Sequence, residues 1–177
     1  MSEPGSPAPT WPDEIFAVLR RSEIRQVGYV PDAGHARLIE RCRAEPAMNA
    51  VVLTTEEEGI GLAAGAWLGG ERVALLMQSS GVGNCINTLS LMATCQFPFL
   101  TIVTMRGEFG EFNPWQVPMG TATPGALELA NVIVHRASEP ARVGDTVAGA
   151  ARLAFSSYAA AAVLLSQQLI GAKTFGK

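Results

Sequence analysis

The sequence predicts an α/β fold, a three-layer αβα sandwich built on a mostly parallel six-stranded sheet, and two observations carry that reading. Apolar runs of strand length alternate with segments of helical period, the pattern of parallel strands joined by crossover helices. The polar clusters Pro31-Asp32, Thr54 to Glu58, Gln78 to Asn84 and Arg106 to Gln116 each follow a strand-like run. Ligands of open parallel sheets sit at the carboxyl ends of the strands, so these clusters predict a single site on one rim.

Taken in order, Trp11 to Arg21 puts Ile15, Phe16, Val18 and Leu19 on one side and reads as an amphipathic helix. Ile24 to Val30 is a strand ending in the turn residues Pro31-Asp32-Ala33-Gly34. His35 to Arg43 is a helix with Leu38 and Ile39 inward, and Ala50 to Leu53 is a buried strand. A Thr followed three residues later by Glu, as in Thr54 to Glu58, marks a helix start, and acids suit the positive end of the helix dipole. That helix runs to Leu68 and stops at Gly69-Gly70. Arg72 to Met77 is the third strand, Gly81 to Cys95 a helix, and Phe99 to Met105 the fourth strand. Arg106 to Gly120 has little periodicity and reads as a long loop, a type that is usually functional in a compact domain. A short helix over Pro124 to Leu129, a strand over Val132 to His135, a helix over Pro140 to Ser157 and a strand over Ala161 to Leu165 complete the alternation.

With 177 residues, 48% hydrophobic and 16% charged, the chain can fill one core, assigned to residues 13–177. Residues 1–12 are rich in Pro, Ser and Gly and read as a disordered arm, without the basic start and apolar core of a signal peptide. A net charge of −3 gives no basic face for nucleic acid. Val73 to Met77 and Ala159 to Leu165 are too short to span a bilayer, and the three cysteines read as thiols of a cytoplasmic protein. Cys42, Cys85 and Cys95 lack metal-ligand spacing, and neutral thiols with no metal site are expected.

Four segments carry candidate chemistry. In Glu56-Glu57-Glu58-Gly59-Ile60-Gly61-Leu62-Ala63-Ala64-Gly65-Ala66-Trp67, small residues crowd a helix and lower its own stability. They allow another surface to come close, and an acid at the helix mouth can then be buried and share a proton. Leu76-Met77-Gln78-Ser79-Ser80-Gly81-Val82-Gly83-Asn84 is a strand-to-helix turn that lacks the spacing of a phosphate-binding loop. Met105 to Gln116 holds Arg106-Gly107-Glu108-Phe109-Gly110-Glu111, where Arg106 either meets substrate or pairs with Glu108 or Glu111. In Tyr29-Val30-Pro31-Asp32-Ala33-Gly34-His35, the histidine is either a proton shuttle near neutral pH or a surface residue at a helix start.

In this order the four segments resemble the pyrimidine-binding domain of thiamine diphosphate-dependent 2-oxoacid decarboxylases, of the sulfopyruvate and phosphonopyruvate decarboxylase type. The acidic helix is similar to the family pattern E-x-G-x-x-x-A-x-G-[YW], and matching Ala66-Trp67 to its small-aromatic pair places Glu57 as the catalytic acid. The second segment resembles M-Q-N-S-G-L-G-N, with Ser79 in place of Asn and Val82 in place of Leu. The third is similar to R-G-E-x-G, and the fourth to V-P-D-S with Ala33 for Ser.

The resemblance implies that Glu57 exchanges a proton with the aminopyrimidine of thiamine diphosphate beside Gln78, Ser79, Ser80, Gly81 and Asn84. It implies that Asp32, His35, Arg106 and Gln116 face a small anionic 2-oxoacid. The family's diphosphate motif, G-D-G…N, is absent: Gly144-Asp145-Thr146 lacks the second Gly and the Asn. A partner beta subunit is therefore expected to hold Mg2+ and the diphosphate, in an alpha-beta hetero-oligomer with at least two alpha chains. Sulfopyruvate is the expected substrate and phosphonopyruvate the alternative. A regulatory or scaffold subunit that kept the fold without turnover is the non-enzymatic reading.

Overall fold

The computed structural model describes residues 10–171. Six strands form one sheet in the order β2-β1-β3-β4-β6-β5, and every pairing is parallel. The strands are β1 (Ile24–Tyr29), β2 (Asn49–Val52), β3 (Arg72–Gln78), β4 (Phe99–Thr104), β5 (Ile133–Ala137) and β6 (Ala160–Leu165). Parallel strands are covered on both faces, so the central ones read as unbroken apolar runs: β4 is buried throughout, and β3 and β6 nearly so. The edge strands β2 and β5 are partly exposed.

The helices split into two layers. On one face α1 (Trp11–Arg21), α2 (Ala36–Ala44) and α7 (Val143–Ser157) cover a core containing Phe16, Leu19, Leu38, Ile102 and Phe155. On the other, α3 (Glu57–Leu68), α4 (Ser79–Cys85), α5 (Ser90–Cys95) and α6 (Gln116–Leu129) cover Ile60, Leu75, Met77, Phe99 and Leu127. A short 3-10 turn, Pro140–Arg142, leads into α7, and α8 (Gln167–Ile170) follows β6. The chain leaves β1 for one face and β3 for the other, although the two strands are neighbours. Such a reversal opens a crevice at the carboxyl end of the sheet.

Three expectations are corrected. Of the arm expected over residues 1–12, Thr10 to Pro12 belong to the start of α1; residues 1–9 lie outside the described residues. Thr10 and Asp13 form a capping box there, and Arg37 and Arg41 pair with Asp13. The single helix expected over Gly81 to Cys95 is two, joined by a turn over residues 86–89 in which Thr88 Oγ1 and Ser90 Oγ also donate to the carbonyls of Cys85 and Asn87. The loop after β4 is shorter than expected. The helix α6 begins at Gln116, with Pro118 in its first turn, where no amide donor is needed, and Pro124 in its interior rather than at its start. Gly120 makes this possible: a Cβ there would collide with the Arg106 carbonyl.

Candidate active site

At the reversal between β1 and β3 the predicted polar residues meet. The Asp32 carboxylate accepts from Gln78 Nε2 at 3.0 Å, from Thr104 Oγ1 at 2.7 Å and from the Gly34 amide at 3.1 Å. Gln78 Oε1 in turn accepts from Ser80 Oγ at 2.9 Å and Gln116 Nε2 at 3.1 Å. One amide thus orders donors and acceptors from β1, β3, β4 and α6. Gln116 Oε1 is buried without a hydrogen-bond partner among the described residues, an acceptor of the kind a bound donor satisfies.

Beside this network the three acids of the β2–α3 turn separate. Glu56 is 7% exposed, and its Oε2 accepts from Asn84 Nδ2 at 2.8 Å. Gly81 lies directly against its carboxyl group, where a Cβ would collide. Glu57 is exposed. Glu58 reaches back to accept from the Thr54 amide at 2.8 Å.

Helix periodicity explains the division. Glu56 stands three, four and seven residues before Gly59, Ile60 and Ala63, the buried positions of α3. Glu57 is aligned instead with Gly61 and Gly65, which face open space. The expected acid, Glu57, is therefore displaced by its neighbour as the group joined to the Gln78–Asn84 segment. The signal was present in the sequence, as the spacing of Glu56 to Ile60 and Ala63.

Other expected residues take structural places. His35 is fully buried, and its Nε2 bonds the Ile102 carbonyl at 3.1 Å, which makes that nitrogen the donor. Burial pushes its pKa below the ordinary histidine value, so it is a buried neutral group rather than a surface residue at a helix start. Arg106 is bound at both Nε and Nη2 by Glu111, at 2.6 and 2.5 Å, and only 9% of its side chain is exposed. A buried guanidinium needs this counter-charge, and it leaves Arg106 engaged within its own loop. Ser79 Oγ accepts from the Arg106 amide at 3.1 Å, so its hydroxyl anchors that loop.

Cys85 is buried close to Glu56, and burial pushes its thiol up to about 12. Among the described residues no group of three or more His, Cys, Asp or Glu side chains could hold a metal ion. No helix among them is long and apolar enough to cross a membrane.

No protein-family model matches the chain. A sulfopyruvate decarboxylase subunit alpha from Methanothermobacter thermautotrophicus is 36% identical over 154 residues, covering 86% of this chain and 93% of that protein. A phosphonopyruvate decarboxylase from Streptomyces viridochromogenes is 36% identical over 121 residues, covering 67% of this chain but 30% of that protein. Among solved structures, a chain of the 2-oxoglutarate:ferredoxin oxidoreductase from Magnetococcus marinus superposes with a TM-score of 0.71 at 13% identity. The match covers 96% of this chain and 31% of that one, a likeness of fold alone.

Proposed function

The chain belongs to the family of sulfopyruvate decarboxylase alpha subunits, and from that membership we propose that it forms the pyrimidine-binding wall of a thiamine diphosphate-dependent carboxy-lyase. The reaction is conversion of sulfopyruvate to sulfoacetaldehyde and carbon dioxide. Phosphonopyruvate, with a similar anionic group on the same 2-oxoacid frame, is the second reading, favoured by the similarity to the Streptomyces enzyme.

The observation that carries the proposal is the setting of Glu56. An aminopyrimidine presents ring nitrogens and an exocyclic amine, and the residues here suit it. Glu56 offers a carboxyl group to a ring nitrogen, Gly81 leaves the adjacent backbone bare, and Gln116 Oε1 is an unpaired acceptor. When bound, thiamine diphosphate supplies the electron sink for the pair left by the departing carboxylate.

The chain's own residues hold and orient. Glu56 takes the place expected for Glu57, holding or giving a proton at its carboxyl while Asn84 fixes its orientation. Asp32, with its acceptors occupied by Gln78, Thr104 and Gly34, holds the polar wall in one arrangement. The partner beta subunit holds Mg2+ and the diphosphate with its G-D-G…N segment, and the hetero-oligomer encloses the site and excludes water. With Arg106 engaged by Glu111, the partner's groups bind the substrate's anionic end.

Carbon dioxide release by the reconstituted alpha-beta complex tests the assignment. Glu56→Gln should lose at least ~100-fold in rate, the range for a removed acid-base group, while Glu57→Gln stays within a few-fold of wild type. The reverse ranking returns the role to Glu57 and overturns the geometric assignment.

A further inference from the structure

Gln167, at the start of α8, lies far along the chain from every segment singled out above, yet it is 2% exposed. A buried amide is costly unless its polar atoms are satisfied, and this one is used at both ends. Its Oε1 accepts from the amides of Glu108 and Phe109, both at 3.0 Å. Its Nε2 donates to Glu111 Oε2 at 3.0 Å, and its own backbone amide donates to Glu108 Oε1 at 2.8 Å. The adjacency of β4 and β6 brings the two loops together, with the Met105 amide donating to the Leu165 carbonyl just before them.

Glu111 is the hub of the loop that Gln167 grips. It binds the Arg106 guanidinium and accepts from the amides of Gly107 and Asn113. The near end of this loop presses on α6. A Cβ at Gly107, which has φ +76°, would collide with the backbone of Gln116 and Val117, and one at Gly120 with the Arg106 carbonyl. The α6 N-terminus and the near end of the loop are thus packed backbone to backbone. Gln116 leaves that N-terminus to donate to Gln78.

We propose that Gln167 is a positioning residue for the site: by fixing the Glu108–Glu111 turn it sets the α6 N-terminus and the Gln116 amide that meets Gln78. It touches neither substrate nor cofactor. Placement of Gln116 in the active site rests on the function proposed above; the mechanical coupling does not. Misplacement of a positioning group by about an ångström is enough to cost on the order of 100-fold in rate.

The test uses the full chain and two variants. In Gln167→Met two amides lose their acceptor. In Gln167→Glu the acceptor remains, but a second carboxylate faces Glu111 and the amide donor is gone. Hydrogen exchange of the chain should speed up, by roughly 10-fold or more, at Glu108 and Phe109 in Gln167→Met. It should also speed up at the amides of the first complete turn of α6, with β3 and β4 unchanged. Faster exchange confined to Glu108 and Phe109 makes Gln167 a local tether and overturns the proposal.

In the alpha-beta complex Gln167→Met should lower kcat by about 10- to 100-fold with smaller change in KM, in keeping with disturbed positioning. Gln167→Glu should recover activity toward acid pH, where the introduced carboxyl group is protonated and again donates to Glu111, while the wild-type profile lacks this acid-side gain. Unchanged kcat together with unchanged α6 exchange overturns the coupling. An inactive wild-type complex overturns the proposed reaction instead, and hydrogen exchange then decides the coupling by itself.

Discussion

Three consecutive glutamates share one composition and three different fates. Glu56 turns inward to Asn84 and Gly81, Glu57 outward, and Glu58 back to the Thr54 amide. Each step of about 100° along a helix turns the side chain away from its neighbour's surroundings, so an alignment error of one residue exchanges a buried acid for a solvated one. The sequence made an acid at this turn legible. It left the choice among the three to the phase of Ile60 and Ala63, and the match at Ala66-Trp67 obscured that phase.

Arg106 shows a second limit at the same scale. Its pairing with Glu111 is one of the open readings, but local sequence does not show that the pair is buried or that Gln167 also donates to Glu111. The Arg106 guanidinium holds the Glu111 carboxyl down at about 2. A depressed carboxylate pKa contributes stability that is present above the unfolded value of about 4.5 and is lost as pH falls toward 2. Glu111→Gln leaves a buried guanidinium without its counter-charge and should cost about 3–5 kcal/mol at neutral pH. Urea unfolding as a function of pH checks this: the gap between wild type and variant should be full at neutrality and narrow below pH ~4. A gap that does not change with pH would contradict the ion-pair account.

Among the elements, α3 separates two uses of small residues. Gly59 is packed so closely on β3 that a Cβ would collide with the Leu75 side chain, whereas Gly61 and Gly65 have nothing within 4 Å. The sequence expectation that another surface comes close to this helix concerns the second face. Gly59→Ala should destabilise the isolated chain by about 1–3 kcal/mol through overpacking. Gly61→Leu should leave its thermal midpoint equal or higher, because glycine costs about 1 kcal/mol in an exposed helix. The same Gly61→Leu chain should assemble poorly with the beta subunit in sedimentation. Full assembly and activity would place that face in solvent.

The elements that sequence misjudged were those whose limits depend on side-chain competition or distant contacts. The break at Ile86 to Leu89 goes with hydroxyls bonding carbonyls, and the first turn of α6 rests on the Arg106–Gly107 backbone.

At the scale of the whole molecule, the parallel sheet and its polar rim were legible because both follow from alternation alone. Strand-length apolar runs gave the buried β3, β4 and β6, and the polar residues after β1 and β3 meet as Asp32 and Gln78. Strand order was not legible. Gln167 and Glu108 are 59 residues apart in sequence and become partners through the pairing of β4 with β6. Local periodicity does not carry such adjacency.

The proposed function divides the site: this chain brings Asp32, Gln78 and Glu56 to one rim, and the G-D-G…N segment that it lacks is left to a beta subunit. The most direct test of this division is carbon dioxide release from sulfopyruvate, in the presence of thiamine diphosphate and Mg2+, by the isolated chain, by its beta subunit, and by the two mixed. The account predicts turnover in the mixture and none from either chain alone. Robust turnover by the isolated chain, or an inactive mixture that nonetheless assembles, would contradict it.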